Sequence, residues 1–460
     1  MSKDQTMKMY ETTQSVDKYL NVRLECDCGM VHYAPIRAVN ISKGALASLP
    51  QYAGEFGYKA PYIICDKITY SIAGEKCESL LREAGFDVTS HVLKHTGFDE
   101  ATLGEIVINK PNNCDLMIGV GTGSITDMLR YASYKLDLPC FTVATGAPMD
   151  GFSASAGIMN VNNLKATMAA HSTEVIIADT DILATAPYRM TVAGYADLMG
   201  KLNAINDWYL DVLINNCHYC KKIDSMVMDY VYDILPKTDA IKARDSQALG
   251  DLMNALLLTG ASITLYGNSR PISGAEHHMS HLWEAIGDQR GKAFAMHGEQ
   301  VAVGTVLSLR FAEILSNMQI DFDKARQTAS RYDQSEWENE IRRVFGTAAD
   351  AIIDLEKESG KNNTEQCLAR IDTIEKKYPE IREVLKKEYD SSALRASFEQ
   401  IGCPCDPKDI GVDAELLKDT FLYAKETRAR YTVFQLAWDL GVLKEIADKI
   451  IDELKQDNRI

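Results

Sequence analysis

From about residue 60 to residue 146, short apolar runs alternate with amphipathic segments: APYIICD, SIAGEKCESLLREAG, FDVTSHVL, EATLGEIVIN, CDLMIGV, ITDMLRYASYK and PCFTVAT. The runs read as strands and the segments between them as helices, and that alternation implies a parallel, doubly wound sheet. After TEVIIADTDIL the character changes. From about residue 187 the pattern is almost wholly helical, with long apolar stretches such as DLMNALLLTGASITLYG whose Met, Leu and Ala stripes read as buried helix faces. The boundary is expected at Thr185 to Arg189, giving an α/β domain over residues 1–187 and an all-α domain over residues 188–460. The Glu- and Lys-dense stretch from Asp321 to Ser392 reads as solvated amphipathic helices elaborating the second domain.

With 460 residues, 46% of them hydrophobic, the chain can bury a core in each domain. Its net charge of −16 argues against nucleic-acid and acidic-membrane partners, because a phosphate polymer needs a clustered positive field. Any anionic substrate must therefore meet a local exception. No apolar run approaches the roughly 20 residues that cross a bilayer, so no membrane insertion is expected. The opening MSKDQTMKMYETTQSVDKYL has neither the basic-then-apolar pattern of a signal peptide nor the character of a transit peptide, which predicts a cytoplasmic protein. Eleven cysteines at irregular spacing suit reduced thiols. In CDCGMVH, Cys26, Cys28 and His32 look like half a zinc knuckle, but no second half of matching spacing follows. The stretch is read as a turn before the first strand, and the Cys403 to Cys405 stretch as a loop.

The run CDLMIGV leads into GTGSITDMLRYA, with Gly119, Gly121 and Gly123 followed by Ser124, Ile125, Thr126 and Asp127 as a helix begins. Small residues let backbone N–H groups and a helix N-terminus approach a phosphate, although three glycines also suit a merely tight turn. One strand earlier, Asp66 ends YIICD, where a carboxylate can accept from ribose hydroxyls or simply cap the next turn. The ribose role would repel a 2′-phosphate and favour NAD over NADP. TVATGAPMDGFSAS, holding Thr145, Gly146, Ala147, Pro148 and Asp150, follows the next strand and should border the same crevice. Asp150 is either a ligand contact or a turn former.

Three of the nine histidines crowd into ISGAEHHMSHLWE. At about 100° per residue on a helix, His281 lies about 40° from His277 and one turn on, whereas His278 points about 100° away on the other side. Two histidines on one face can bind a metal, but in soluble helices such pairs are more often surface or core residues. His297, just before a glycine at the start of AMHGEQVAVGTVLSL, and Asp197, an acid among small and apolar residues in TVAGYADLMGKLNAINDWYL, offer further ligands. A buried carboxylate needs a partner, and one carboxylate with two imidazoles leaves an open coordination position, as in catalytic metal sites.

Together, GVGTGSITD, TGAPMDGFSAS, AGYADLMGKLNAINDWYL, GNSRPISGAEHHMSH, MHGEQVAVGTVLSL and RYTVFQLAWDLG resemble, in order, the motifs of the iron-containing alcohol dehydrogenase and dehydroquinate synthase superfamily. The resemblance is nearest to the sn-glycerol-1-phosphate dehydrogenases. It implies a Rossmann-like NAD(P)-binding domain, a helical domain and a divalent metal, zinc, nickel or iron, in the cleft between them. By this resemblance Asp197, His277 and His297 hold the metal, and His281, Asp150 and Asp197 meet the substrate. Asp66, Gly121, Gly123, Ser124, Ile125, Thr126, Asp127, Thr145, Gly146, Ala147 and Pro148 hold the dinucleotide. Two departures stand out: Ala154, flanked by Ser153 and Ser155, replaces a serine usual in the family, and the span from His277 to His297 is longer than in many relatives.

The resemblance implies reversible hydride transfer at C2 between sn-glycerol 1-phosphate and dihydroxyacetone phosphate, with Asp197, His277, His281 and His297 as the catalytic set. His281 would orient the substrate and relay a proton. Lys201 and Arg270 are candidate partners for the substrate phosphate, although Lys201 also suits a solvated face and Arg270 a capping turn. Relatives commonly form homodimers or larger homo-oligomers. Alternatives are a dehydrogenase of an unphosphorylated polyol such as glycerol, a dehydroquinate synthase-like cyclase, and a non-enzymatic sensor. The cyclases use Glu at the Asp197 position, and the intact ligand set argues against the sensor.

Overall fold

The structure is a computed structural model that describes residues 6–8, 19–95, 97, 99–161, 164–292, 294–386 and 389–460. Among the described residues eleven strands form three sheets. β1 (Thr6–Lys8), β2 (Arg23–Glu25) and β3 (Val31–His32) make a small sheet. β4 (Ala38–Ser42), β5 (Pro61–Cys65), β6 (Thr89–Val92), β7 (Leu116–Gly121), β8 (Cys140–Ala144) and β11 (Val175–Asp179) make a six-stranded, all-parallel sheet in the order β4-β11-β8-β7-β5-β6. β9 (Ala156–Val161) and β10 (Leu164–Ala169) pair antiparallel.

β5, β7, β8 and β11 are buried along their whole length, as helices on both faces of a parallel sheet require. After β5 the chain steps outward to β6, then returns to lay β7 on the opposite side of β5. The order thus reverses between β5 and β7, the place where doubly wound sheets open a crevice at their strand ends.

By contacts the chain divides into residues 1–198 with 221–269, and residues 199–220 with 270–460. This differs from the expected cut at residues 187 and 188. The Ser246–Tyr266 helix is the reason, because its apolar surface is spent on the sheet unit: it packs on the loop after β8, on the Thr180–Thr185 helix and on β4. By length and composition that helix is apolar enough to cross a bilayer, which the sequence pattern did not lead us to expect. It has 21 residues and a mean hydropathy of 1.4 over its most apolar window, yet 72% of that window is buried inside the protein. All eleven cysteines are thiols.

The second unit is helical. Its core joins Trp283 of the Ala275–Arg290 helix, Phe311 of the His297–Asn317 helix, and Phe421 and Phe434 further on. Phe311 meets Phe434 edge-on with centroids 5.0 Å apart, and Trp283 donates its indole N–H to Thr420 at 2.8 Å. The charged stretch from residue 321 to 392 is amphipathic, but its polar side is not wholly solvated. Lys361 and Asn362 turn inward to Glu426, which pairs with Lys361 at 3.1 Å, accepts from Asn362 at 3.0 Å and from the Trp337 indole at 3.2 Å, and also contacts Lys425.

Burial acts to raise the Glu426 carboxyl, but the two lysines outweigh it and hold it at about 2. A carboxyl held below its ordinary value of about 4.5 contributes stability that is complete above that value and is lost as pH falls through about 2. Glu426→Gln is therefore expected to cost about 3–5 kcal/mol near pH 7, because it strands two buried lysines. The gap from the wild type should narrow as pH drops below about 4. Urea unfolding near pH 7 and again near pH 3 checks both statements.

Candidate active site

In the sheet unit, the β5 and β7 ends flank the reversal point. Asp66, just after β5, accepts from the Thr69 backbone N–H at 2.7 Å, while the Thr69 hydroxyl accepts from the Asp66 backbone N–H at 3.0 Å. It caps a short helical turn, as one of its two readings held. Past β7, the Gly123–Leu136 helix starts behind Thr122, whose side chain caps no N–H group. The first backbone N–H groups of that helix are not taken by a capping side chain, which suits an anion. A side chain at Gly121 would collide with Ile125, and at Gly123 would press on Met149, so both glycines serve close packing around the turn. Asp127, one turn into the helix, is ion-paired with buried Arg130. Arg130 also donates to the carbonyl of Ala154 at 2.7 Å and to that of Gly151, tying the helix to the neighbouring loop.

That loop is fixed by backbone. The Thr145 N–H donates to the Gly121 carbonyl at 3.1 Å, joining the ends of β7 and β8. A β-carbon on Gly194 would overlap the Ala147 carbonyl, and one on Gly260 would overlap the Asp150 carbonyl. The Tyr188–Met199 and Ser246–Tyr266 helices thus press directly on the 146–150 backbone, an approach only glycine permits. In consequence the Asp150 N–H reaches the Asp197 carboxylate at 2.9 Å, and Asp197 is almost wholly buried at 1% exposure. Beside Ala154, Ser153 is already committed, donating to the Leu257 carbonyl at 2.6 Å.

In the helical unit, Asp207 accepts the Ala275 N–H at 2.7 Å and the Val433 N–H at 2.6 Å, pinning the start of the Ala275–Arg290 helix. Gly274 lies so close to Asp207 and Ala204 that a β-carbon would collide with both, and Gly304 lets the His297–Asn317 helix cross against the backbone of Glu276. Three imidazoles converge as a result. Ring centroids are 5.3 Å apart for His277 and His297, 6.1 Å for His281 and His297, and 6.2 Å for His277 and His281.

The Nδ1 positions differ among the three rings. His277 Nδ1 lies 2.6 Å from the buried Glu276 carboxylate, and His297 Nδ1 lies 3.1 Å from Glu284 and 3.2 Å from the Ser280 hydroxyl. A carboxylate at Nδ1 selects the tautomer with its proton there and turns the Nε2 lone pair outward, as in metal-bound histidines. Burial works to raise Glu276, but His277, the Gly274 N–H and Asn203 outweigh it and hold the carboxyl below its usual range. His281 Nδ1 has no hydrogen-bond partner among the described residues. Burial, then nearby Arg428 and His297, push its imidazolium well below its usual range.

His278 points elsewhere. It is fully buried, neither ring nitrogen has a partner among the described residues, and burial followed by Arg430 and Arg428 keeps it neutral.

Lys201 is fully buried, which contradicts a solvated face. Arg270 pairs with Asp211 at 3.0 Å. Two arginines escaped the reading of the sequence. Arg430 donates to the Ser273 carbonyl at 3.0 Å, and burial, then Arg428 and Arg270, push it down to about 9. Arg428 and Arg270 thus lie near enough to Arg430 to add positive charge beside it, a local exception in an acidic chain. Glu276, Gly194 and Gly260 were missed too, although Glu276 directly precedes His277 and Gly194 lies inside a quoted motif.

A family profile described as iron-containing alcohol dehydrogenase matches residues 40–187. The chain is 32% identical over 292 residues to a glycerol-1-phosphate dehydrogenase [NAD(P)+] of Halalkalibacterium halodurans, covering 62% of this chain and 73% of that one. It is 26% identical over 431 residues to the enzyme of the same name from Bacillus licheniformis, covering 92% of this chain and 94% of that one. Among solved structures, a glycerol dehydrogenase from Schizosaccharomyces pombe superposes with a TM-score of 0.58 at 16% identity, covering 91% of this chain and 92% of that one, a likeness of fold.

Glu276→Gln should weaken retention of a divalent metal by about 10–100-fold, because it removes the carboxylate that orients His277. His278→Leu should leave retention unchanged. Competition with a chelator, read as metal content of the purified variants, checks the pair; the reverse order would show that the face of this helix has been misassigned.

Proposed function

The chain belongs to the glycerol-1-phosphate dehydrogenase family, and we propose that it catalyses reversible hydride transfer at C2 between sn-glycerol 1-phosphate and dihydroxyacetone phosphate with NAD(P)(H). The observation that carries this reading is the pair of imidazoles, His277 and His297, each with a carboxylate at Nδ1 and His281 beside them. We assign Asp197, His277 and His297 as ligands of one divalent ion, zinc, nickel or iron, a donor set those metals accept. When bound, that ion supplies Lewis acidity toward the C2 oxygen. Glu276 and Glu284 keep Nδ1 of the two histidines protonated, and the Asp150 N–H steadies the Asp197 carboxylate. His281 orients the substrate and relays the proton of the C2 hydroxyl, with Asp150 as a second substrate contact.

The dinucleotide is assigned to Gly121, Gly123, Ser124, Ile125 and Thr126 around the uncapped helix start, to Thr145, Gly146, Ala147 and Pro148, and to Asp66 at the ribose. The reversal of strand order between β5 and β7 supports this. Asp127, already paired with Arg130, would act by holding the helix start rather than by direct contact. The carboxylate of Asp66 favours NAD over NADP, since it would repel a 2′-phosphate. For the substrate phosphate we assign Arg270, Arg428 and Arg430, whose shared field is the exception an acidic chain must provide. We place the enzyme in the cytoplasm as a homodimer or larger homo-oligomer.

Metal-loaded protein mixed with NADH and dihydroxyacetone phosphate should consume NADH and yield the sn-1 enantiomer; glycerol 3-phosphate as product, or equal activity with the unphosphorylated ketone, would refute the reading. His281→Ala should lower turnover at saturation by about 10²–10⁴-fold with metal content intact. Asp66→Asn should shift the ratio of NADPH to NADH efficiency upward, a change read from kcat/KM for each cofactor.

A further inference from the structure

The stretch CDCGMVH is not merely a turn. It closes the hairpin of β2 and β3, in which Leu24 faces His32. The Cys26 N–H donates to the Met30 carbonyl at 3.2 Å, the Gly29 N–H donates to the Cys26 carbonyl at 3.0 Å, and Gly29 takes a positive φ of 86° that favours glycine. The effect is to turn both cysteines toward His32. Ligand atoms of Cys26, Cys28 and His32 all lie within 4.8 Å of one another.

The imidazole is set for coordination. His32 is fully buried, and its Nδ1 donates to the Leu265 carbonyl at 2.7 Å. A carbonyl accepts only, so the proton sits on Nδ1 and the Nε2 lone pair faces the Cys28 sulfur 3.4 Å away. In tetrahedral zinc with Zn–S of about 2.3 Å and Zn–N of about 2.0 Å, neighbouring sulfur and nitrogen ligands stand about 3.5 Å apart.

We propose that Cys26, Cys28 and His32 bind a structural zinc ion, with Cys220 as the fourth ligand. Cys220 is fully buried and immediately precedes the Lys221–Ile234 helix. That helix and β3 both pack on the Ser246–Tyr266 helix, which carries Leu265, so the chain delivers Cys220 to the element that holds His32. Thiolates with one imidazole select zinc over the harder cations, and four protein ligands leave no open position, so the site ties down the hairpin and does no chemistry. The fourth ligand lies 188 positions beyond His32, which is why spacing alone reveals only half a knuckle.

The test uses the full chain produced with zinc. The variant His277→Ala/His297→Ala should retain about one zinc per chain by mass spectrometry, and adding Cys26→Ser/Cys28→Ser should remove it. Because the cysteine variant can fail to fold, a second measurement uses unsubstituted cysteines: cobalt-loaded His277→Ala/His297→Ala protein should show intense thiolate-to-cobalt absorption and the visible bands of tetrahedral cobalt. A native circular dichroism spectrum with no zinc and no such absorption would overturn the proposal and leave Cys28 and His32 as a thiol–imidazole hydrogen bond. Zinc content unaffected by folded Cys26→Ser/Cys28→Ser would overturn it as well.

Discussion

A single buried carboxylate, that of Glu276, organises the helical unit. An anion shut away from water is tolerable only when its oxygens are fully engaged. Glu276 meets that demand through the Gly274 N–H, the Asn203 amide and His277 Nδ1. The demand propagates outward, because the segment must bend at Gly274, where no side chain fits, and the crossing helix must carry Gly304 where it meets the Glu276 backbone. Asp207, buried beside it and raised well above its usual range by burial and then by the Glu276 charge, secures the N–H groups of Ala275 and Val433. Three distant parts of the chain are thereby locked to one position, and the orientation of His277 follows from it.

The sheet unit positions its groups by a different route. Its predicted ligand contacts lie on loops, and loops are held here by missing side chains as much as by hydrogen bonds. Gly194 and Gly260 let two helices touch the carbonyls of Ala147 and Asp150, while Arg130 gathers the carbonyls of Gly151 and Ala154 from below. Strain-free close approach of this kind lets a backbone N–H, that of Asp150, act as a positioning group for the Asp197 carboxylate.

Much of this was legible before any coordinates. The strand runs, the helix beginning at Gly123 and the shared face of His277 and His281 follow from periodicity, which depends on neighbours a few residues apart. What periodicity could not supply were partners remote in sequence. Glu284 became informative only when placed against His297, and Arg428 and Arg430 only when folded back beside Arg270. The division by contacts differs from the expected boundary for a related reason. Ser246–Tyr266 reads as helix from its own pattern, but what it packs against does not depend on that pattern.

By itself the sequence determined the parallel sheet, the helical character of the second half, the family resemblance and the residue types able to hold a metal and a dinucleotide. These depend on local alternation and on motifs read in order. The tertiary structure alone decided which imidazole nitrogen each carboxylate holds, which aspartate is a cap, which glycines are steric necessities, and that Cys26, Cys28 and His32 face one another. Those depend on distances between groups that the chain separates and only packing brings together.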